Sequence, residues 1–393
     1  MIRARLLAGA LIGLGAWSCT SRVDVVAVQR EAARGLDAGP DDAGAGGDAD
    51  VDGGDVDASA DAGNGDGDGE DAGACDPADG TAVSLAGGRG LAALAGDARS
   101  MALCSCDGFS SSAPVELRTS AGSGVASAGV DGSMSLGDDA AIDGDLRVSG
   151  PQGLTLGELL LNVGGSLQVA GDVLGADATV EVGGDVAGGG RIQLASLQVG
   201  GVLRQPAGAE LELGGGPVPA ATEVGEVLAP TACPCDDTTR LDPASLAALG
   251  AAPVESLTFE EPCARLELDS IGPDPTRVRV EQSALVVLDG DLAINGELVI
   301  EVATGQTLDL LVTGNVRVDG LLHLGGSAED ATAGGQVRLF VAGAGTIELR
   351  GGGALHGVLH APDAELVLPA PLTIHGSALL RRVAAEAELV IEH

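Results

Sequence analysis

The stretch DGDLRVSG, Asp143 to Gly150, decides how this chain is read. Leu146 and Val148 fall on one face of a strand and Arg147 on the other, because side chains alternate along extended backbone. Glycine closes the segment at both ends, where turns favour positive φ. The pattern returns as GGSLQVAG at 164–171, DGDLAING at 289–296 and TGNVRVDG at 313–320, with shorter copies at 131–137 and 183–188. Between the copies lie further strand-like runs: LTLGELLLNV at 154–163, ATVEV at 178–182, RIQLASLQV at 191–199, ELVIEV at 297–302 and TLDLLV at 307–312. Neighbouring copies are roughly 17–24 residues apart, the length of one coil in a stacked β-structure. One coil cannot bury its own aliphatic face, whereas stacked coils share a core. The expected fold is all-β, a parallel β-helix or solenoid. Leu292 and Ile294 are expected to face its core, and Ala293 and Asn295 the solvent.

The composition suits such a stack. The chain has 393 residues, 64 of them Gly, with three Phe, one Trp and no Tyr. Its core must come from Val, Leu, Ile and Ala, each buried Val or Leu contributing about 1.5–3 kcal/mol. The net charge is −38, and all 20 basic residues are Arg. A chain this acidic is repelled by nucleic acid and by anionic lipid surfaces.

Residues 1–18 read as a signal peptide: Arg3 and Arg5 precede an apolar segment, Leu6–Ala16, too short to span a membrane. Ala16-Trp17-Ser18-Cys19 follows directly and resembles a bacterial lipobox. The resemblance implies that Cys19 is lipid-modified and anchors the chain to a membrane. Residues 19–80 then form an acidic linker. Its Asp-, Gly- and Ala-rich part, 36–80, has too little apolar surface to fold. Two runs in it open like calcium loops, Asp48-Asp50-Asp52-Gly53 and Asn64-Asp66-Asp68-Gly69, but position twelve is Ser59 in one and Cys75 in the other. Without the bidentate carboxylate they read as spacer.

The first strand block is placed at 81–235, opening with a helical stretch at 90–103. An insert at 236–280 holds a short helix from Asp242-Pro243 to Gly250, capped at its start and stopped by Gly. The second strand block is 281–393. Six cysteines remain: Cys75, Cys104, Cys106, Cys233, Cys235 and Cys263. An even number in an exported chain points to disulfides over a zinc site. At least one of Cys104 and Cys106 is expected to pair with Cys233 or Cys235. The remaining cysteines, including Cys75 and Cys263, would then pair among themselves.

No catalytic motif emerges. His356 and His360 are too far apart on a strand to share an ion. His356-Gly357 and His375-Gly376 are one coil apart, so their rings are expected to stack. No metal ligand set and no cofactor are assigned.

Segments ALVVLDGDLAING, LDLLVTGNVRVDG and VRLFVAGAGTIELRGGGALHGVLHAPDAELVL within 281–393 resemble the uncharacterised β-helical C-terminal domain of bacterial envelope and pilus-associated proteins. The octads resemble, more weakly, those of the polymer-forming bactofilins. The leader, acidic linker and Cys-x-Cys pairs resemble exported proteins of high-GC Gram-negative bacteria. These resemblances imply a right-handed β-helix at the cell envelope and carry over no catalytic residue. The expectation is a non-enzymatic lipoprotein of the outer membrane or cell surface, structural or adhesive. Its partners would be the membrane, an envelope protein, a polysaccharide or a second copy. The alternative is a carbohydrate-active β-helix enzyme or polysaccharide-binding module.

Overall fold

The computed structural model describes residues 100–120, 124–215, 218–236, 239–241, 280, 291–326 and 336–393, with 24–26, 276–279 and 284–288 as backbone strand alone. Every regular element among them is a strand. The expected helix at 242–250 lies outside the described residues.

The strands form three parallel ladders. The first runs from Thr276–Val280 through Leu298–Val302, Leu322–Leu324 and the starts of Gly353–Leu368 and Leu372–Ala385 to Leu389–Glu392. It continues through Val115–Arg118, Ala140–Ile142 and Leu160–Val163, and ends at residues 196–199. The second passes from Ala284–Leu288 through Thr307–Val312, Gln336–Val341 and residues 103–105, 128–130 and 146–148 to Leu203–Gln205 and Thr222–Val224. The third runs from Leu292–Ile294 to Leu211–Leu213. Successive strands of the chain visit the three ladders in turn, except that Thr222–Val224 follows Leu211–Leu213 directly into the second. Partners within the repeats lie 17 residues apart at Val186 and Leu203 and 24 apart at Leu292 and Val316.

The order along the stack differs from the order along the chain. Leu389–Glu392 pairs with Val115–Arg118, and Leu372–Ala385 pairs with Leu103–Ser111. The C-terminal block therefore stacks ahead of the N-terminal one, and their ladders are continuous across a junction with no peptide link. One aliphatic row crosses it: Ile300, Leu324, Leu355, Ile374, Ile391, Leu117, Ile142, Val163 and Val182 are in register, and all are buried.

The octads have a local cause that the strand pattern alone does not reveal. Their third residue caps the next repeat along the ladder. Asp145 Oδ1 accepts the Ser166 amide (2.9 Å), Ser166 Oγ the Asp185 amide (3.4 Å) and Asp185 Oδ1 the Val202 amide (2.9 Å). In the C-terminal block Asp291 Oδ1 accepts the Asn315 amide at 2.6 Å and Asn315 Oδ1 the Thr346 amide at 2.9 Å. Each bond satisfies a corner N–H that the ladders leave unpaired.

The octad glycines correct one expectation. Positive φ occurs at other glycines, such as Gly153, Gly357 and Gly376. The octad glycines stack instead: a Cβ on Gly183 would lie 2.4 Å from the Gly164 carbonyl oxygen, and one on Gly200 would lie 2.2 Å from that of Gly183. The corners need glycine because neighbouring coils meet there backbone to backbone.

Ile294 is buried and Ala293 and Asn295 are exposed, as the alternation requires, while Leu292 is half-buried. In Thr307–Val312 and Gln336–Val341 both faces are covered. Leu308, Leu310, Val337 and Leu339 join the main core, and Leu311 and Phe340 join a second cluster outside the second ladder.

Candidate functional site

The second cluster exists because the chain returns along the outside of the second ladder. Past Val224 the described residues 225–236 and 239–241 have no regular structure, and 232–236 and 239–241 lie on both sides of the junction. Cys104 is disulfide-bonded to Cys233 and Cys106 to Cys235, each pair 129 residues apart in sequence with Cα atoms 5.6 Å apart. Both Cys-x-Cys motifs thus pair with each other. They clamp Leu103–Ser111, the strand by which the N-terminal block meets the C-terminal one, so the clamp sits at the junction, mid-stack. The pairing expected for Cys75 and Cys263 lies outside the described residues, as does Cys19.

Beyond the disulfides the strap is held by polar and apolar contacts. Asp131 Oδ1 accepts the Cys233 amide at 3.3 Å and the Ser149 hydroxyl at 3.0 Å. Burial pushes the Asp131 carboxyl above its ordinary pKa of 3.8, against these hydrogen bonds, which pull it down. Gly129 lets the strap approach: a Cβ there would lie 2.2 Å from the Ala232 carbonyl oxygen. His360, fully buried, meets the Thr239 carbonyl through Nε2 at 2.7 Å, and Arg240 pairs with Asp363 at 3.3 Å. Leu241 packs in the cluster of Leu311, Phe340, Val358 and Leu379. Beside it a buried ion pair links adjacent strands: Arg338 donates through Nε and Nη2 to both oxygens of Asp309.

The imidazoles form a row at the corner between the first and second ladders. His356 stacks on His375 with centroids 4.3 Å apart and planes 10° apart, as the spacing predicts. The sequence reading missed the row's continuation. His323 meets His356 at 5.6 Å, and His375 Nδ1 meets Glu392 Oε2 at 2.8 Å. The missed signal was register: His375 pairs with Glu392 across coils of unequal length. Parallel stacked rings hold their in-plane lone pairs in parallel planes, which do not converge on one ion. Among the described residues no group of three or more His, Cys, Asp or Glu has metal-holding geometry.

The far end of the stack is apolar and acidic. Val218, Val224 and Leu228 are 64%, 70% and 76% exposed. Glu210, Glu212, Glu223 and Glu226 lie in the same part of the chain, all exposed. Arg204 there donates to Glu223 at 3.1 Å and Asp185 at 2.9 Å, and both bonds raise its pKa. Among the described residues no helix is long and apolar enough to cross a membrane.

Residues 280–393 match a family model described as a domain of unknown function, DUF7305. The match begins in the outermost strand of the first ladder and ends at the last residue, at the junction where the N-terminal coils stack on. No curated protein and no solved structure matches the chain.

Proposed function

We propose that this chain is an exported lipoprotein whose coils wind as one parallel β-helix, a rigid rod with a structural or adhesive role at the cell envelope. The double disulfide carries the reading. Two bonded Cys-x-Cys pairs belong to an oxidising compartment, and the leader ending at Cys19 supplies a route there and an anchor. Two or three acyl chains on Cys19 hold a protein on a membrane stably, where one chain does not. The β-helix is supported by the order in which the strands visit three open ladders and by the aliphatic row shared by successive coils. The acidic segment 36–80, self-repelling, spaces the rod from the anchor.

The test is fatty-acid labelling with detergent phase partitioning of the wild type and Cys19→Ala. Labelled wild type in the detergent phase and unlabelled variant in the aqueous phase are expected. An unlabelled wild type in the aqueous phase refutes the anchor.

A further inference from the structure

The described residues carry sulfur at Met101, Met134, Cys104, Cys106, Cys233 and Cys235. All of these except Met134 meet where the strap lies on the junction. The four cysteines are bonded in disulfides. The chain has no Tyr, and its one Trp lies in the leader. Among the described residues the two thioethers are therefore the side chains that an oxidant attacks first.

Their surroundings differ. Met134 is 2% exposed and faces the main core, in register with Phe109. Met101 is half-buried at the rim of the second cluster, and its Sδ lies 3.6 Å from Cys104 Sγ. The backbone fixes it there. The Ala102 and Leu103 amides donate to the Ser127 carbonyl at 3.0 and 3.3 Å, and the Ala378 amide donates to the Ala102 carbonyl at 2.9 Å. The bond behind Met101 is shielded, with Cys104 2% and Cys233 6% exposed, whereas Cys106 and Cys235 are both half-buried.

We propose that Met101 is an oxidation site for peroxides, and that its sulfoxide uncovers the Cys104–Cys233 bond. The Met101 sulfur lone pair attacks one oxygen of hydrogen peroxide. An S–O bond forms and the O–O bond breaks. The departing hydroxide takes the proton left on the transferred oxygen and leaves as water. Sulfur is oxidised by two electrons and the peroxide is reduced by two. The step turns an apolar, flexible side chain into a polar one. A sulfoxide oxygen has no hydrogen-bond donor in the cluster of Leu311, Phe340, Val358 and Leu379, so it turns to water and draws the side chain off Cys104. Thiol–disulfide exchange depends on access to the sulfur under attack. The shielded bond thereby becomes open to a thiolate, while the half-buried Cys106–Cys235 bond is open in either state. Peroxide at Met101 would thus decide whether one bond of the clamp can be reduced or both.

The inference goes beyond the anchored-rod reading and does not need the lipid. It is tested on the exported chain carrying Cys19→Ala, folded, after brief exposure to dilute hydrogen peroxide. Peptide mapping by mass spectrometry should find one added oxygen on Met101 at least about tenfold faster than on Met134, because susceptibility follows exposure. In urea the two rates should converge. A dithiol with alkylation mapping then follows each disulfide. Peroxide treatment should speed reduction of Cys104–Cys233 by about tenfold, equivalent to about 1.4 kcal/mol of lost cover, and leave Cys106–Cys235 unchanged. Met101→Gln, polar without any oxidant, should reproduce the faster reduction. Met101→Leu should keep it slow and indifferent to peroxide. Equal oxidation of Met101 and Met134 in folded protein overturns the proposal, as does oxygen added to a cysteine in place of Met101. So does a Cys104–Cys233 reduction rate that the Met101 sulfoxide leaves unchanged, or a peroxide effect that persists in Met101→Leu.

Discussion

Two cysteines placed at Val390 and Glu116 should cross-link spontaneously within one molecule. The two residues sit near opposite ends of the described chain and are register partners across the junction. Partners in neighbouring strands lie about 4.8 Å apart, inside the Cα range of roughly 4.4–6.8 Å that a disulfide spans. Both side chains are half-buried on the outer face, so the exchange leaves the aliphatic core untouched. The substitution removes Glu116 from its ion pair with Arg118, whose side chain is 56% exposed; such a pair contributes at most about 1 kcal/mol. The Cys104–Cys233 bond already shortens the path between the sites, leaving a loop on the order of 170 residues for the new bond to close; the chain-entropy model gives about 5 kcal/mol for this, as an upper limit. The assay is non-reducing peptide mapping of Val390→Cys/Glu116→Cys, with urea denaturation in the presence and absence of a dithiol. A linked peptide pair within a monomer and a midpoint raised only under oxidising conditions are expected. Free thiols, or links only between molecules, would refute the stacking of the C-terminal block ahead of the N-terminal one.

Three further outcomes follow from single sites. Ile294→Asp should destabilise by several kcal/mol, because it buries an unpaired carboxylate, while Ala293→Asp on the exposed face should stay within about 0.5 kcal/mol; equal shifts in urea midpoint would contradict the register. Asp309→Ala strands the buried Arg338 guanidinium and should cost about 3–5 kcal/mol, whereas Asp309→Leu with Arg338→Met should be close to neutral in the same melt. Asp131 has a folded pKa raised above 3.8, so the folded state holds the extra proton just above that value and this group's contribution falls as pH rises through the window. Asp131→Asn should remove that slope, and a wild-type-minus-variant difference in midpoint that does not change across mild acid would sink the assignment.

The inward faces were readable because the chemistry repeats. Leu146 and Val148, or Val316 and Val318, alternate with polar residues and are buried as the alternation requires. The imidazole stack was readable because His356 and His375 each precede a glycine one coil apart. What repetition made readable locally, it concealed globally. Leu117 packs on Ile391 with the same chemistry as on Ile142, so nothing in its sequence neighbourhood says which coil lies above it. The glycines were misread for a related reason. Close approach and positive φ both select glycine, and only the position of the neighbouring coil's carbonyl tells them apart. The second cluster left a faint sign, since TLDLLV and QVRLFV carry apolar residues on both faces of the strand, as strands covered on both sides do. Its cover, residues 232–236 and 239–241, has no periodicity to find.

The strap's position follows from that reversed order. A chain that leaves the stack at Val224 and re-enters at Thr276 must cross from one end to the other, passing the junction on the way. The junction is where the stack depends on ladder hydrogen bonds and packing without a peptide link, since adjacent repeats elsewhere are also joined by the chain. Where each repeat contacts mainly its neighbours, stability is approximately a sum of neighbour terms, so the weakest term sets where the stack first opens. The strap meets the stack at that term. The first disulfide supplies most of the constraint, because it closes a path of 129 residues, for which the chain-entropy model gives about 5 kcal/mol. Once it has formed, the second closes only the two-residue arms between Cys104 and Cys106 and between Cys233 and Cys235, and adds little by the same model. Its contribution is direction. Two bonds fix an axis where one fixes a point, and that axis aligns 233–235 with 104–106. The following residues can then cross to His360, Asp363 and the pocket around Leu241. The outer face of the C-terminal block is thereby covered by a segment tethered to the N-terminal block, so the two blocks cannot part without stripping the apolar cover from one of them.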